Sequence, residues 1–132
     1  MGAIVWPHIP DIALKIKVAQ LAENTDKIVV YNTQRHPGEG DNPKIVLTGN
    51  DVKDFFSCMK LKAQKGINGC SCLGQLKIKF YSKDKLEGSV TCHHFKRLRG
   101  KIIPFKSDVN ILPPYQQKLK ELMLKKGIIE GD

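Results

Sequence analysis

The chain has 132 residues, 22 Lys or Arg against 13 Asp or Glu, and a net charge of +9. A chain of that length forms one domain, residues 1–132, and buries enough surface to fold without a disulfide or a metal. It contains no apolar run of about 18 residues, which excludes a membrane-spanning helix. Residues 1–6 are too short and too neutral for a signal peptide, and Trp6 breaks the myristoylation pattern. The absence of a leader does not decide between the cytoplasm and a secreted or periplasmic mature chain.

Taken in chain order, residues 1–10 read as extended, with Pro7 and Pro10 opposing a helix. A helix is expected over residues 12–23, capped by Asp11, with Ile12, Ile16, Ala19 and Ala22 on its apolar stripe. Leu14, Ile16 and Val18 also alternate as a strand would, but the flank Ala19 to Glu23 favours a helix. Asn24 to Asp26 form a turn, and Lys27 to Thr33 a buried strand. Residues 34–43, rich in Gly and Pro, read as a loop with neither P-loop nor EF-hand spacing.

A second strand is expected at Lys44 to Thr48. A helix follows over residues 51–63, capped by Asn50 or Thr48, with Val52, Phe55, Phe56 and Met59 on one face and Cys58 on its flank. Gly66 and Gly69 interrupt the chain before Cys70 and Cys72. The strongest strand signal is Gln75 to Tyr81, where Leu76, Ile78 and Phe80 alternate with Lys77, Lys79 and Tyr81. After the turn at residues 82–85, a strand runs over Leu86 to Phe95, and a further short one over Lys101 to Phe105. Pro113-Pro114 open a last helix over residues 114–126, with Leu119, Leu122 and Met123 inward and Gly127 as its stop.

These elements make an α+β fold: an antiparallel sheet of four to five strands with two to three helices on one face. The central hairpin has two possible sidedness patterns. Pairing Tyr81 with Leu86 throughout would set Lys77 and Lys79 beside Val90 and Cys92, so a one-residue slip is expected instead. Leu76, Ile78, Phe80, Val90 and Cys92 then face the core, while Lys77, Lys79, Tyr81, Ser89, Thr91 and His93 face outward. Continued through Gly74, the same pattern puts Cys70, Cys72, Cys92 and His94 together on the inner side.

Charge is concentrated around this hairpin. Residues 60–106 hold twelve Lys or Arg against Asp84 and Glu87, and the rest of the chain is nearly neutral. Lys77, Lys79, Thr91, His93, Lys96, Arg97, Arg99 and Lys101 therefore form the expected binding face for an acidic partner, nucleic acid or protein. Tyr81, His93 and Phe95 offer rings for stacking on bases if they are exposed. Because 19 of the 22 basic residues are Lys, the face suits polyanion contact better than base-specific readout. No RNP, KH, zinc-finger or helix-turn-helix signature is present, and no small-molecule cofactor is expected.

Two further readings attach to the same residues. Cys70, Cys72, Cys92 and His94 form a Cys₃His set of the type that binds zinc, although the C-x-C spacing is tighter than in most structural sites. The alternatives are a Cys72–Cys92 disulfide or reduced core thiols. A hydrolase or nuclease using His93 or His94 as general base would draw phosphodiesters to this cationic region, but no oxyanion hole or acidic metal cluster accompanies the histidines.

Overall fold

The computed structural model describes residues 9–33, 44–63, 76–100 and 109–129. Its elements run α1 (Ile9–Asn24), β1 (Lys27–Asn32), β2 (Lys44–Thr48), α2 (Asn50–Ser57), β3 (Leu61–Ala63), β4 (Leu76–Ser82), β5 (Lys85–His93), β6 (Arg97–Gly100), β7 (Val109–Ile111) and α3 (Pro113–Lys125). The fold is α+β, with three helices and one antiparallel sheet. The sheet has seven strands rather than the expected four to five, in the order β2-β1-β4-β5-β6-β7-β3. The additional strands are short: β3 and β7 have three residues each and β6 has four. Such segments are too brief for alternation to stand out. The strand expected at residues 101–105 lies outside the described residues, as does the loop at 34–43.

Helix α1 forms where expected but is rotated. Leu14 and Leu21 are buried and Val18 packs beside them, whereas Ile12 and Ile16 are 56% and 53% exposed. Positions 14, 18 and 21 recur at helical spacing as regularly as positions 12, 16 and 19. The row carrying two leucines covers more apolar surface and takes the core side. Pro10 falls in the first turn, where its missing N–H costs nothing. Beyond the last turn, the Thr25 backbone N–H and hydroxyl both donate to the Leu21 carbonyl, at 2.9 and 2.6 Å.

Helix α2 is shorter than expected. Its N-cap is Gly49, at φ +57°, and no side chain caps it. Asn50 is already helical, and the left-handed turn into the helix suits glycine. At the other end Ser57 Oγ donates to the Asp54 carbonyl at 2.6 Å. The chain leaves the helix there while keeping Cys58 and Met59 buried. That continued burial extends the helical pattern past the helix itself and conceals β3. Helix α3 begins on its two prolines and ends at Gly127, φ +81°, with Ile128 N–H donating to the Met123 carbonyl at 3.2 Å. Lys126 meets Asp51 at 2.7 Å, setting a cation at the C-terminal end of α3 against an anion in the first turn of α2.

The register of the β4–β5 hairpin combines both patterns considered above. Ser82 pairs with Lys85 and Tyr81 with Leu86 around a two-residue turn at Lys83-Asp84, both left-handed. A bulge between Phe80 and Tyr81 then shifts the ladder, so that Phe80 pairs with Gly88, Ile78 with Val90 and Leu76 with Cys92. The rejected Tyr81–Leu86 pair is therefore real, and the bulge supplies the expected slip. Leu76, Ile78, Phe80, Val90 and Cys92 are all buried. They share one apolar cluster with Leu14 and Leu21 of α1, Val52 and Phe55 of α2, and Leu119 and Met123 of α3.

Gly100 fits β6 against β5 by close approach. Its φ is +155°, and a Cβ there would lie 2.8 Å from Val90 Cα and closer still to the Ser89 carbonyl oxygen. Any side chain would force these two backbones apart.

Candidate functional site

Because strand side chains alternate, every cross-strand partner of an outward residue is itself outward. On β4 the outward residues are Lys77, Lys79 and Tyr81. Their partners on β1 are Tyr31, Val29 and Lys27, and those in turn pair with Lys44, Val46 and Thr48 of β2. On the other side Lys77 pairs with Thr91 and Lys79 with Ser89. Thr91 pairs with Arg99 and His93 with Arg97, Arg97 with Asn110, and Asn110 with Lys62. One face thus carries Lys44, Lys27, Lys77, Lys79, Arg97, Arg99 and Lys62 on five of the seven strands. Among the described residues none of its paired positions is a carboxylate.

Local contacts shape this face. Lys79 Nζ sits 5.5 Å from the Tyr31 ring centroid and Lys27 Nζ 5.0 Å from that of Tyr81. Lys27 also contacts Asp84 at 3.0 Å. Asp84 is 89% exposed in the hairpin turn, so that pair is well solvated and worth little. Lys77 is exposed and Lys79 half-buried. Neither forms an ion pair with a carboxylate among the described residues, so their charges remain available to a ligand.

The far half of the face is more enclosed. His93 points outward by strand parity, yet it is only 1% exposed. Its Nε2 lies 2.8 Å from Thr91 Oγ1, and Thr91 Oγ1 donates to the Arg99 carbonyl at 3.4 Å. Arg97 and Arg99 are half-buried, each with interactions of its own. Lys96 is exposed in the turn between β5 and β6. Lys101 lies outside the described residues.

The cysteine and histidine expectations change more. β5 ends at His93, and His94 turns out into solvent with φ +57°, while Phe95, also at φ +57°, packs partly buried against the core. The expected inward placement of His94 beside Cys92 does not hold, because the strand stops one residue too early. Cys92 is a free, fully buried thiol, which excludes the Cys72–Cys92 disulfide. Cys70 and Cys72 lie outside the described residues. Among the described residues no group of three or more His, Cys, Asp or Glu side chains converges as a metal site would need.

Burial pushes the Cys92 thiol up to about 12, against a small opposing effect from the Phe95 backbone N–H. A protonated, solvent-shielded sulfur is a poor nucleophile. The unfolded thiol ionises near 9.0 and the folded one near 12. Stability is therefore fully retained below pH 9 and falls as pH rises through that window, by up to about 1.4 kcal/mol per unit. Accordingly, Cys92 should react with iodoacetamide only on global unfolding, giving a labelling rate that follows urea concentration. Fast labelling of Cys92 in the native chain would contradict the packing described here.

Lys27, Tyr31, Lys44 and Lys62 belong to the outward face but were absent from the expected binding set. Their signal was available in part. Lys27, Val29 and Tyr31 alternate with Ile28, Val30 and Asn32, and Lys44, Val46 and Thr48 with Ile45 and Leu47. What the pattern lacked was the strand order that joins them to β4.

The chain matches no protein-family model, no curated protein and no solved structure.

Proposed function

We propose that this chain is a small basic binding module that presents the outward face of its sheet to an acidic partner, and that the partner is a single-stranded nucleic acid. The observation that carries this reading is the alternation of ammonium groups with aromatic rings over β1 and β4. Lys27 stands opposite Tyr81, and Tyr31 opposite Lys77. A nucleotide strand offers a phosphate and a flat base at each step, so cations spaced between rings meet both needs. Lys44 and Lys62, toward the two sheet edges, extend the cationic track.

A second reading, an acidic protein, is favoured by the dominance of Lys over Arg, since Lys meets carboxylates without requiring the planar geometry of bases. The hydrolase reading draws support only from the Thr91–His93 contact. Its other candidate, His94, sits in an exposed turn rather than on the strand.

Fluorescence anisotropy with a labelled oligothymidine tests the proposal. With four to five lysines engaged, log K should fall with log salt at a slope of roughly −3, about −0.7 per contact. Salt-independent binding, or none, removes the nucleic acid. Equal affinity for polyglutamate of the same charge shows that the rings add nothing and selects the acidic protein.

A further inference from the structure

On the helix side of the molecule, away from the basic face, a groove of about 420 Å³ runs between α1 and the chain leaving α2 for β3. Leu14 and Met59 are buried at its floor. Val18, Phe56 and Leu61 line its walls, and Leu112 remains 37% exposed at its margin. The charged residues in its lining are Lys15 and Lys60, both exposed. Among the described residues no carboxylate lines it.

A concavity of this size with a hydrocarbon interior and two lysines at its rim is suited to a ligand of matching polarity. We propose that this groove binds an anionic amphiphile of the fatty-carboxylate class, its medium-length chain lying along α1 and its carboxylate held by Lys15 and Lys60. The apolar floor supplies affinity in proportion to the chain buried, and the lysines select the charged end. A second copy of this chain is a poorer occupant. A twofold interface centred here would bring both sets of Lys15 and Lys60 together, like charge against like, with no carboxylate among the described lining residues to offset them.

The experiment is a calorimetric titration of the full chain with octanoate, decanoate and dodecanoate, each below its micelle-forming concentration, with alkanols of equal length as controls. Affinity should rise about fourfold per added methylene. Each carboxylate should bind about five- to tenfold tighter than its alkanol, and Lys15→Glu/Lys60→Glu should remove that advantage. Ala22→Leu, which enlarges a half-buried lining residue from a helical position, should weaken every ligand by about tenfold. Ala19→Phe, at an exposed lining position, serves the same purpose if Ala22→Leu fails to fold. Lys77→Glu/Lys79→Glu should leave dodecanoate binding unchanged, which separates this site from the sheet face.

The proposal is overturned if dodecanoate does not bind, if alkanol and carboxylate bind equally, or if the blocking variants bind as the parent does. It is equally overturned if sedimentation shows a dimer that the blocking variants dissociate, since the groove would then belong to a second copy.

Discussion

Lys77→Glu/Lys79→Glu should weaken oligonucleotide binding by about 30- to 1000-fold near physiological salt. Each reversal removes an attractive contact and adds a repulsive one, together about 1–2 kcal/mol per position, and each 1.4 kcal/mol is tenfold in affinity. The fold should survive. Lys77 is exposed, and Lys79 loses only its position over Tyr31, a contact worth about 0.5–1 kcal/mol. The proper control is Lys53→Glu/Lys120→Glu. Both residues are exposed on α2 and α3, on the helix side, and the double variant has the same net charge. If binding depends on the sheet face, the control should lose less than about threefold, the residue of a long-range field screened by salt. Equal losses in the two variants would mean that net charge alone attracts the ligand and that the face has no special role.

Phe80→Ala should cost about 3–5 kcal/mol, a large share of the 5–15 kcal/mol typical of a whole domain. Phe80 is 1% exposed, with its ring centroid 5.7 Å from both Phe55 and Phe56, and Phe55 and Phe56 meet edge to face at 5.6 Å. Removing the Phe80 ring empties the junction between α2 and the centre of the sheet. It also forfeits two aromatic contacts of about 0.5–1.5 kcal/mol each beyond simple burial, part of the same total. In urea the midpoint should move down with little change in slope. A loss under about 1 kcal/mol would mean that α2 does not dock on β4 as described.

What the sequence disclosed, and what it hid, follows from how each signal is encoded. The alternation of Leu76, Ile78 and Phe80 with Lys77 and Lys79 was readable because seven residues repeat it and each alternate side chain is strongly polar or strongly apolar. The same period in Arg97-Leu98-Arg99-Gly100 covers four residues, and in Val109-Asn110-Ile111 only three. Those strands exist through tertiary pairing rather than local pattern. The rotation of α1 was hidden because two apolar rows compete on one helix, and only the sheet beneath it decides between them. His94 was misplaced for a local reason: His93-His94-Phe95 holds no glycine or asparagine to announce a left-handed turn, and the modest tolerance of histidine for positive φ is too weak a signal beside a phenylalanine that disfavours it. The binding face was legible at its centre, on β4 and β5, and not at Lys27, Lys44 and Lys62, which join it only through strand order.

That strand order bears on how the protein is made in a cell. β3 pairs with β7 alone among the described strands, and fifty residues separate Leu61 from its partner Ile111. At about 5–20 residues per second, a ribosome takes roughly 3–10 s to synthesise the interval. α1 rests against β3, so this helix waits for β7, the last of the described strands, before its docking site is complete. During those seconds the row of Leu14, Val18 and Leu21 lacks its final cover, which makes the unfinished polypeptide a natural client for chaperones at the exit tunnel.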